Sequence, residues 1–517
     1  LALSPLILFK YPGLQDYPNH LARAFILLNQ DDSLLARSYA VQWMPLPNLG
    51  WDIWAVAVGK LLPIEWVGRL FLMMSGTVIM AGCFALNRTL TSRFSFAPLL
   101  AVPFLFNSGF SKGFLSFELA AGCSLLAAAW WVSARDMYWL RRLLIATVCS
   151  TALYLIHLYS WAFYGLFVFG YEVQRMVRAG RTGPSILRQL FRDGLQAIPA
   201  LGMFVFAGIN STQPELVVQK FDAPHMRILE IHALIDTGNP FISFALVLIM
   251  LVLIATMIGR GLLRVRSDFA LPIGLSIALF FLLPDQIAGT YYVAWRLIFM
   301  ALLVFIASCI PTEKGFASIN PVLGVTALVT VIAASVTIWS WHNAKLGTEA
   351  FLKITQRVPE GSALFVVHNG MKPQRLVREA VGLYHVGSFA VLTRRALVQS
   401  MFALPGQQPI QFRDASLQAA PHNSATFLSD VRKQFRKKGL DFRSHLLKFD
   451  YAVLHGPDYG DDLEVLPGEH LDLIEKVGDF RLYRIARGDP SRAEQSGTTF
   501  GFDTRLTAAP PSSRPSY

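Results

Sequence analysis

An aspartate, a histidine and an arginine fall together in GLQDYPNHLARAF, Gly13 to Phe25, just after the apolar run LALSPLILF. Asp16 and His20 are four apart, a spacing that shares one helix face. Pro18 between them instead places Asp16 ahead of a helix that begins at His20, with Asn19 as its cap. A carboxylate at a lipid–water boundary can take the proton of a hydroxyl as a general base. The plainer reading is that Asp16 and Asn19 shape a turn and that Arg23 snorkels toward headgroups.

A second group lies far along the chain. DQIAGTYYVAWRLIFMALLVF starts at Asp285 and carries Arg296 inside an apolar run, near one end. An intramembrane arginine is expensive and points to function, although one near an end can snorkel. Tyr291 and Tyr292 read as interfacial aromatics. Glu118, in KGFLSFELAAG, and His157, in YLIHLYS, each read as a buried polar group bonded to a neighbouring helix, with Lys112 as the cation that neutralises Glu118. His225, Glu230, His232 and Asp236 share one loop, but their spacing matches no metal-ligand signature.

The elements that must position these residues are membrane helices. The chain has 517 residues, 53% hydrophobic and 15% charged, with a mean hydropathy of +0.43. Soluble domains carry about 25% charged residues. Apolar windows long enough to approach the roughly 30 Å of a bilayer core recur at 66–87, 95–109, 114–134, 142–157, 159–174, 193–209, 241–259, 269–284, 291–310 and 319–341. Residues 1–9 read as the end of one further, truncated helix, giving about eleven crossings, unless YLIHLYSWAFYG is a polar spot within one long helix. Cys83, Cys123, Cys149 and Cys309 all lie in these windows and read as small buried hydrophobes.

The net charge of +12 is a topology signal more than a nucleic-acid one. Arg88 and Arg93, then Arg135, Arg141 and Arg142, then Arg175 to Arg192, then Arg260 to Arg266 and Lys314 fill alternate connections. The connections between them are nearly free of Lys and Arg. Basic loops stay in the cytoplasm. This puts 10–65, 210–240, the turn at Asp285 and everything after Trp341 outside, so the protein is expected in a bacterial inner membrane with these parts in the periplasm.

The membrane part is expected to run from 1 to 341, with two surface helices, HLARAFILLNQ and WDIWAVAVGKLL, in the loop 10–65. HMRILEIHALID predicts a helical piece in the second outer loop. After Trp341 the pattern changes. GSALFVVHNG, FDYAVLHG and DFRLYRIAR predict strands, and MKPQRLVREAVGLYH and TFLSDVRKQFRKKG predict helices, giving a small α/β domain over 342–488. Residues 489–517 are Ser/Pro/Gly-rich and predict disorder. The fold class is therefore mainly α, a polytopic helical bundle with a small C-terminal α/β domain. No glycine-rich phosphate loop, nucleophile elbow or CxxC pair is present, which argues against a nucleotide-sugar donor.

A shortened first helix, an Asp just past it in a long outer loop with two surface helices, many spans and an outer α/β domain together resemble the GT-C class of integral-membrane glycosyltransferases. The resemblance implies a sugar donor linked to polyprenyl phosphate and an acid in the first outer loop that acts as base or metal ligand. Asp16 matches that position. The class usually pairs two acids there; this chain has one, followed by YPNH, which leaves a divalent metal open, and Asp31–Asp32 read as a helix-ending turn. On this reading Asp16 accepts the proton of an acceptor hydroxyl and His20 orients a partner. Arg296, with Tyr292, grips the leaving phosphate, and Arg23, Glu118, His157 and Asp285 support the site. One well-placed acid predicts inversion at the anomeric carbon. The competing readings are a flippase or transporter for a lipid-linked precursor, for which repeated halves and mid-bilayer charges are expected, and a non-catalytic envelope-assembly protein.

Overall fold

The computed structural model describes residues 2–93, 95–209, 227–228, 230–287, 290–369, 380–420, 426–456 and 471–485. After the short helix Ser4–Leu8, the first loop folds as helix Tyr17–Leu28, helix Ser33–Ser38, strand β1 (Tyr39–Val41) and helix Gly50–Gly59. Both helices expected in this loop are present, and Tyr17–Leu28 is buried along almost its whole length instead of lying on a surface. Asn19 does not cap the first of them. The helix starts three residues before His20, with Pro18 in its first turn, where a missing N–H costs nothing.

Among the described residues, six helices are long and apolar enough to cross a membrane: Ile64–Arg88, Leu115–Ser133, Trp139–Ile156, Gly183–Ile209, Pro240–Gly259 and Ile319–Thr355. Ser267–Leu282 and Val293–Ala307 are shorter apolar helices packed in the same bundle. The chain is an integral membrane protein. The window 95–109 holds a 3-10 helix, Ala97–Phe106, and not an α-helical span. Pro98 and Pro103 remove two donors there, and ten residues at about 2.0 Å each reach only about 20 Å. YLIHLYSWAFYG is a reversal: His157 has extended backbone between helices Trp139–Ile156 and Leu158–Arg178.

Leu115–Ser133 is the centre of the bundle, with 78% of its apolar window buried. It packs on Ile64–Arg88 through small residues: a Cβ on Gly122 would stand 2.5 Å from the backbone N of Ile79. At the end of the bundle where the basic connections gather, Glu172 accepts from Trp131 Nε1 at 2.9 Å, Arg142 at 3.1 Å and Arg175 at 2.6 Å. A two-stranded ribbon of β2 (Leu263–Val265) and β3 (Cys309–Pro311) lies at that end as well, and Asn87 donates to the carbonyls of Ala307 and Cys309.

Ile319–Thr355 has 37 residues, or about 55 Å of helix, against roughly 30 Å of hydrocarbon. Its last turns therefore leave the bilayer and bury Phe351 and Ile354 against the C-terminal domain. That domain contains β4 (Ala363–His368), β5 (Leu397–Val398), β6 (Ile410–Phe412), β7 (Tyr451–His455), β8 (Leu471–Val477) and β9 (Phe480–Ile485). Its five-stranded sheet runs β5-β4-β7-β9-β8, parallel across β5, β4 and β7 and antiparallel across β7, β9 and β8. β4 and β7 are buried almost throughout, as parallel strands covered on both faces are. Helix Leu428–Lys437 forms where expected. Most of MKPQRLVREAVGLYH, part of HMRILEIHALID including His225, and the tail 489–517 lie outside the described residues.

β6 lies outside that sheet and pairs antiparallel with β1, so the first loop and the C-terminal domain share a ribbon. Asp32 was expected only to end a helix. It also caps Ser33–Ser38 and pairs with Arg395 at 2.6 Å.

Candidate active site

Asp16 occupies the N-cap position of Tyr17–Leu28, yet its side chain makes no cap bond. The backbone here is held from outside the helix. Gln15 and Asp16 N–H groups donate to the carbonyls of Ser111 and Lys112 at 3.1 and 3.0 Å. Gly113 permits this approach. It is left-handed (φ +78°), and a Cβ there would lie 3.2 Å from the backbone N of both Asp16 and Tyr17.

Arg23 does not snorkel. It is 1% exposed, and its Nε and Nη2 donate to the two carboxylate oxygens of Asp52 at 2.6 and 3.2 Å. The same Nη2 stands 3.2 Å from His20 Nδ1. A guanidinium can only donate, so Nδ1 is the acceptor and His20 is neutral, with its proton on Nε2. Burial, with Arg23 adding to it, holds the His20 pKa well below its ordinary value. Trp51 Nε1 donates to the His20 carbonyl at 2.9 Å and so locks the two helices together.

Arg296 lies in the first turn of Val293–Ala307, 5% exposed. Its guanidinium is boxed by the rings of Phe114, Phe117 and Tyr159 at 4.9, 5.4 and 4.8 Å. Three such contacts at about 0.5–2 kcal/mol each offset much of the roughly 2.5–3.5 kcal/mol cost of the buried charge. Nε and Nη1 are buried with no hydrogen-bond partner among the described residues. Two of its donor nitrogens, on different edges of the guanidinium, are thus unpartnered among the described residues. His157 closes the same box, edge-on to Phe117 at 5.4 Å.

The segment 111–118 joins the two groups, since it bonds Asp16 at Lys112 and stacks Arg296 at Phe114 and Phe117. Lys112 itself was misassigned from sequence. Glu118 accepts from Asn107 Nδ2 at 3.3 Å, while Lys112 Nζ sits 4.4 Å over the Tyr292 ring. Burial opposes the charge on Lys112, but Tyr292, Asp236 and Asp16 outweigh it and raise its pKa. Asp236 is fixed in turn by Ser111 Oγ at 2.5 Å and Gly238 N–H at 2.9 Å. Tyr292 takes a left-handed backbone (φ +60°), rare for a residue with a side chain, at the start of the Arg296 helix. Asp285 pairs with Arg227 at 3.6 Å, and its carbonyl accepts from Val293 N–H at 3.0 Å.

Sequence reasoning missed Asp52, Lys112 as a site cation, and His385. Asp52 had a signal, an acid inside the apolar helix GWDIWAVAVG that requires a partner. His385 had none, because its contact with Asp16, 3.4 Å from Nε2 to Oδ1, spans 369 positions of sequence. Among the described residues no group of three or more His, Cys, Asp and Glu side chains could hold a metal ion. The donors at Asp16 itself, one carboxylate and the imidazole of His385, do not make a metal cage.

The chain has the GT-C fold of polytopic membrane proteins. It is similar to ArnT from Cupriavidus metallidurans bound to undecaprenyl phosphate, at 12% identity and a TM-score of 0.51, covering 93% of this chain and 96% of that one. The apo state of the same ArnT aligns over 90% of this chain and 92% of that chain, at 12% identity and a TM-score of 0.46. The arabinofuranosyltransferase AftD from Mycobacteria aligns over 94% of this chain and 40% of its own, at 12% identity and a TM-score of 0.47. No family model matches the sequence, and no curated protein matches it.

Proposed function

We propose that the protein is a glycosyltransferase that moves a sugar from a polyprenyl phosphate to an acceptor hydroxyl at the periplasmic face of a bacterial inner membrane. One observation carries the reading. A carboxylate, Asp16, and a buried guanidinium with two donors unpartnered among the described residues, Arg296, both contact one short segment, 111–118, which also carries Lys112. The fold shared with a protein that binds undecaprenyl phosphate supports the choice of lipid.

In the proposed step the acceptor oxygen attacks the anomeric carbon while its proton passes to Asp16. The bond from that carbon to the phosphate oxygen breaks, and the electron pair leaves with the polyprenyl phosphate. Arg296 and Lys112 stabilise the charge that develops on the phosphate, and Tyr292 holds Lys112 in place. A single displacement inverts the anomeric centre. No step is routed through a metal. His20, neutral and bound to Arg23, orients the helix that carries Asp16 and takes no proton at Nδ1.

The test uses the full chain in nanodiscs, a panel of undecaprenyl-phosphoryl monosaccharides and a solubilised envelope extract as acceptor source. Release of undecaprenyl phosphate above that seen with an Asp16→Asn variant supports the reading. Movement of the intact donor across liposomes without release would replace it with the flippase.

A further inference from the structure

The C-terminal domain reaches into the candidate site through one side chain. His385 lies on the crossover between the parallel strands β4 and β5, outside the carboxyl end of β4, where open α/β sheets place their ligands. It is 1% exposed, and its Nε2 stands 3.4 Å from Asp16 Oδ1. The ring is held edge-on by Tyr384 and Phe402, each at 5.0 Å between centroids.

This meeting is built from both sides. Three residues before His385, a Cβ on Gly382 would stand 2.6 Å from the Cα of Gly13, itself three residues before Asp16. Beyond Asp16, Asn19 Nδ2 donates to the Ser400 carbonyl at 3.2 Å and Asn19 Oδ1 accepts from Phe402 N–H at 3.1 Å. The backbone contact and the Asn19 clamp thus flank the Asp16–His385 pair. A carboxylate that forgoes capping its own helix is given an imidazole from another domain in its place.

We infer that the C-terminal domain is an obligate part of the reaction centre, with His385 as the positioning residue that orients the Asp16 carboxylate toward the acceptor hydroxyl. The inference rests on the proposed role of Asp16. With the ring proton on Nε2, His385 can donate to the nearer carboxylate oxygen, which fixes the rotation of the carboxylate and leaves the other oxygen for the incoming proton. Such contacts often stand long in the absence of substrate and tighten with it. His385 itself touches no reacting atom.

The test compares His385→Ala and His385→Gln with Asp16→Asn in the undecaprenyl-phosphoryl panel. His385→Ala is expected to lower kcat by on the order of 10- to 100-fold, the range for a misplaced catalytic group, with KM for the donor unchanged. His385→Gln, which keeps a donor at a similar reach, is expected to restore most of the rate. Binding of undecaprenyl phosphate to all three proteins is measured alongside. If Asp16→Asn is inactive while His385→Ala keeps the parental kcat, the His385 inference falls and the role of Asp16 stands. If Ala and Gln lose equally and lipid binding fails with them, His385 only holds the domain in place and the inference falls too. If Asp16→Asn keeps the parental rate, both readings fall together.

Discussion

Gly382 meets Gly13 backbone to backbone: a Cβ on Gly382 would lie 2.6 Å from Gly13 Cα and 2.8 Å from its carbonyl carbon. Neither atom belongs to a flexible side chain, so neither can yield. Gly382→Ala is expected to part the two segments, at an overpacking cost of about 1–3 kcal/mol. Hydrogen exchange at the Phe402 amide, bonded to Asn19 across the same junction, should rise, with the helical bundle unaffected. Unchanged protection of Phe402 would show that the junction tolerates the methyl.

The buried pair of Arg23 and Asp52, each side chain 1% exposed, makes a stability prediction. Arg23→Ala leaves an uncompensated acid and is expected to destabilise the protein by about 3–5 kcal/mol. The double change Arg23→Met with Asp52→Leu should recover most of that loss, because apolar residues of similar volume replace such pairs at little cost. Thermal unfolding in nanodiscs measures both. A double variant no better than Arg23→Ala would mean that the pair has a role beyond mutual compensation.

Much of this was legible in the sequence, and what was not has a physical reason. The apolar periods located the helices, and the single acid in GLQDYPNH marked the loop edge where Asp16 stands. The 3-10 helix Ala97–Phe106 was read as a span because hydropathy does not register the geometry that Pro98 and Pro103 impose. Asn19 was read as a cap by the local rule, whereas its bonds run to Ser400 and Phe402, contacts that no local rule contains. Lys112 was given to Glu118 by nearness in sequence, but the turn at Gly113 sends it to Tyr292 and Asp236.

Three buried histidines of the C-terminal domain give a pH dependence. Burial lowers His368 to about 4, and burial with His368 nearby lowers His455 to about 3. Burial lowers His445 to about 4, with Lys448 adding to it. His368 Nε2 is 3.1 Å from the Tyr384 carbonyl and so carries its proton there, and its Nδ1 accepts from His455 Nδ1 at 2.8 Å. The native domain keeps these rings neutral while the unfolded chain protonates them near 6.5. Between about pH 6.5 and 4 the unfolded state binds more protons, so stability rises with pH and is lost on acidification. Denaturant unfolding followed between pH 7.5 and 4.5 should show this, and His445→Phe should flatten the slope. A domain equally stable at both ends would remove the linkage.

The alternation of basic connections predicts that Arg178 and Gly456 lie on opposite sides of the membrane. With the four native cysteines replaced, single cysteines at the two positions should label from opposite sides of intact spheroplasts. Labelling of both from one side would overturn the orientation.

Arg296→Ala should weaken undecaprenyl phosphate binding by about 1.5–3 kcal/mol, the worth of a charge-assisted bond. Arg296→Lys should recover part of it, since lysine brings a charge without the fork. Lipid binding by Arg296→Ala at parental strength would give the phosphate to Lys112 alone.

The most direct measurement is the rate of undecaprenyl phosphate release by Asp16→Asn beside its binding of undecaprenyl phosphate. The amide keeps the shape of the carboxylate and cannot take the proton. Release is predicted to fall by roughly 10²–10⁴-fold while the lipid still binds at Arg296 and Lys112. Release at the parental rate would contradict the assignment of Asp16 as the base and, with it, the account of this site as a glycosyl-transfer centre.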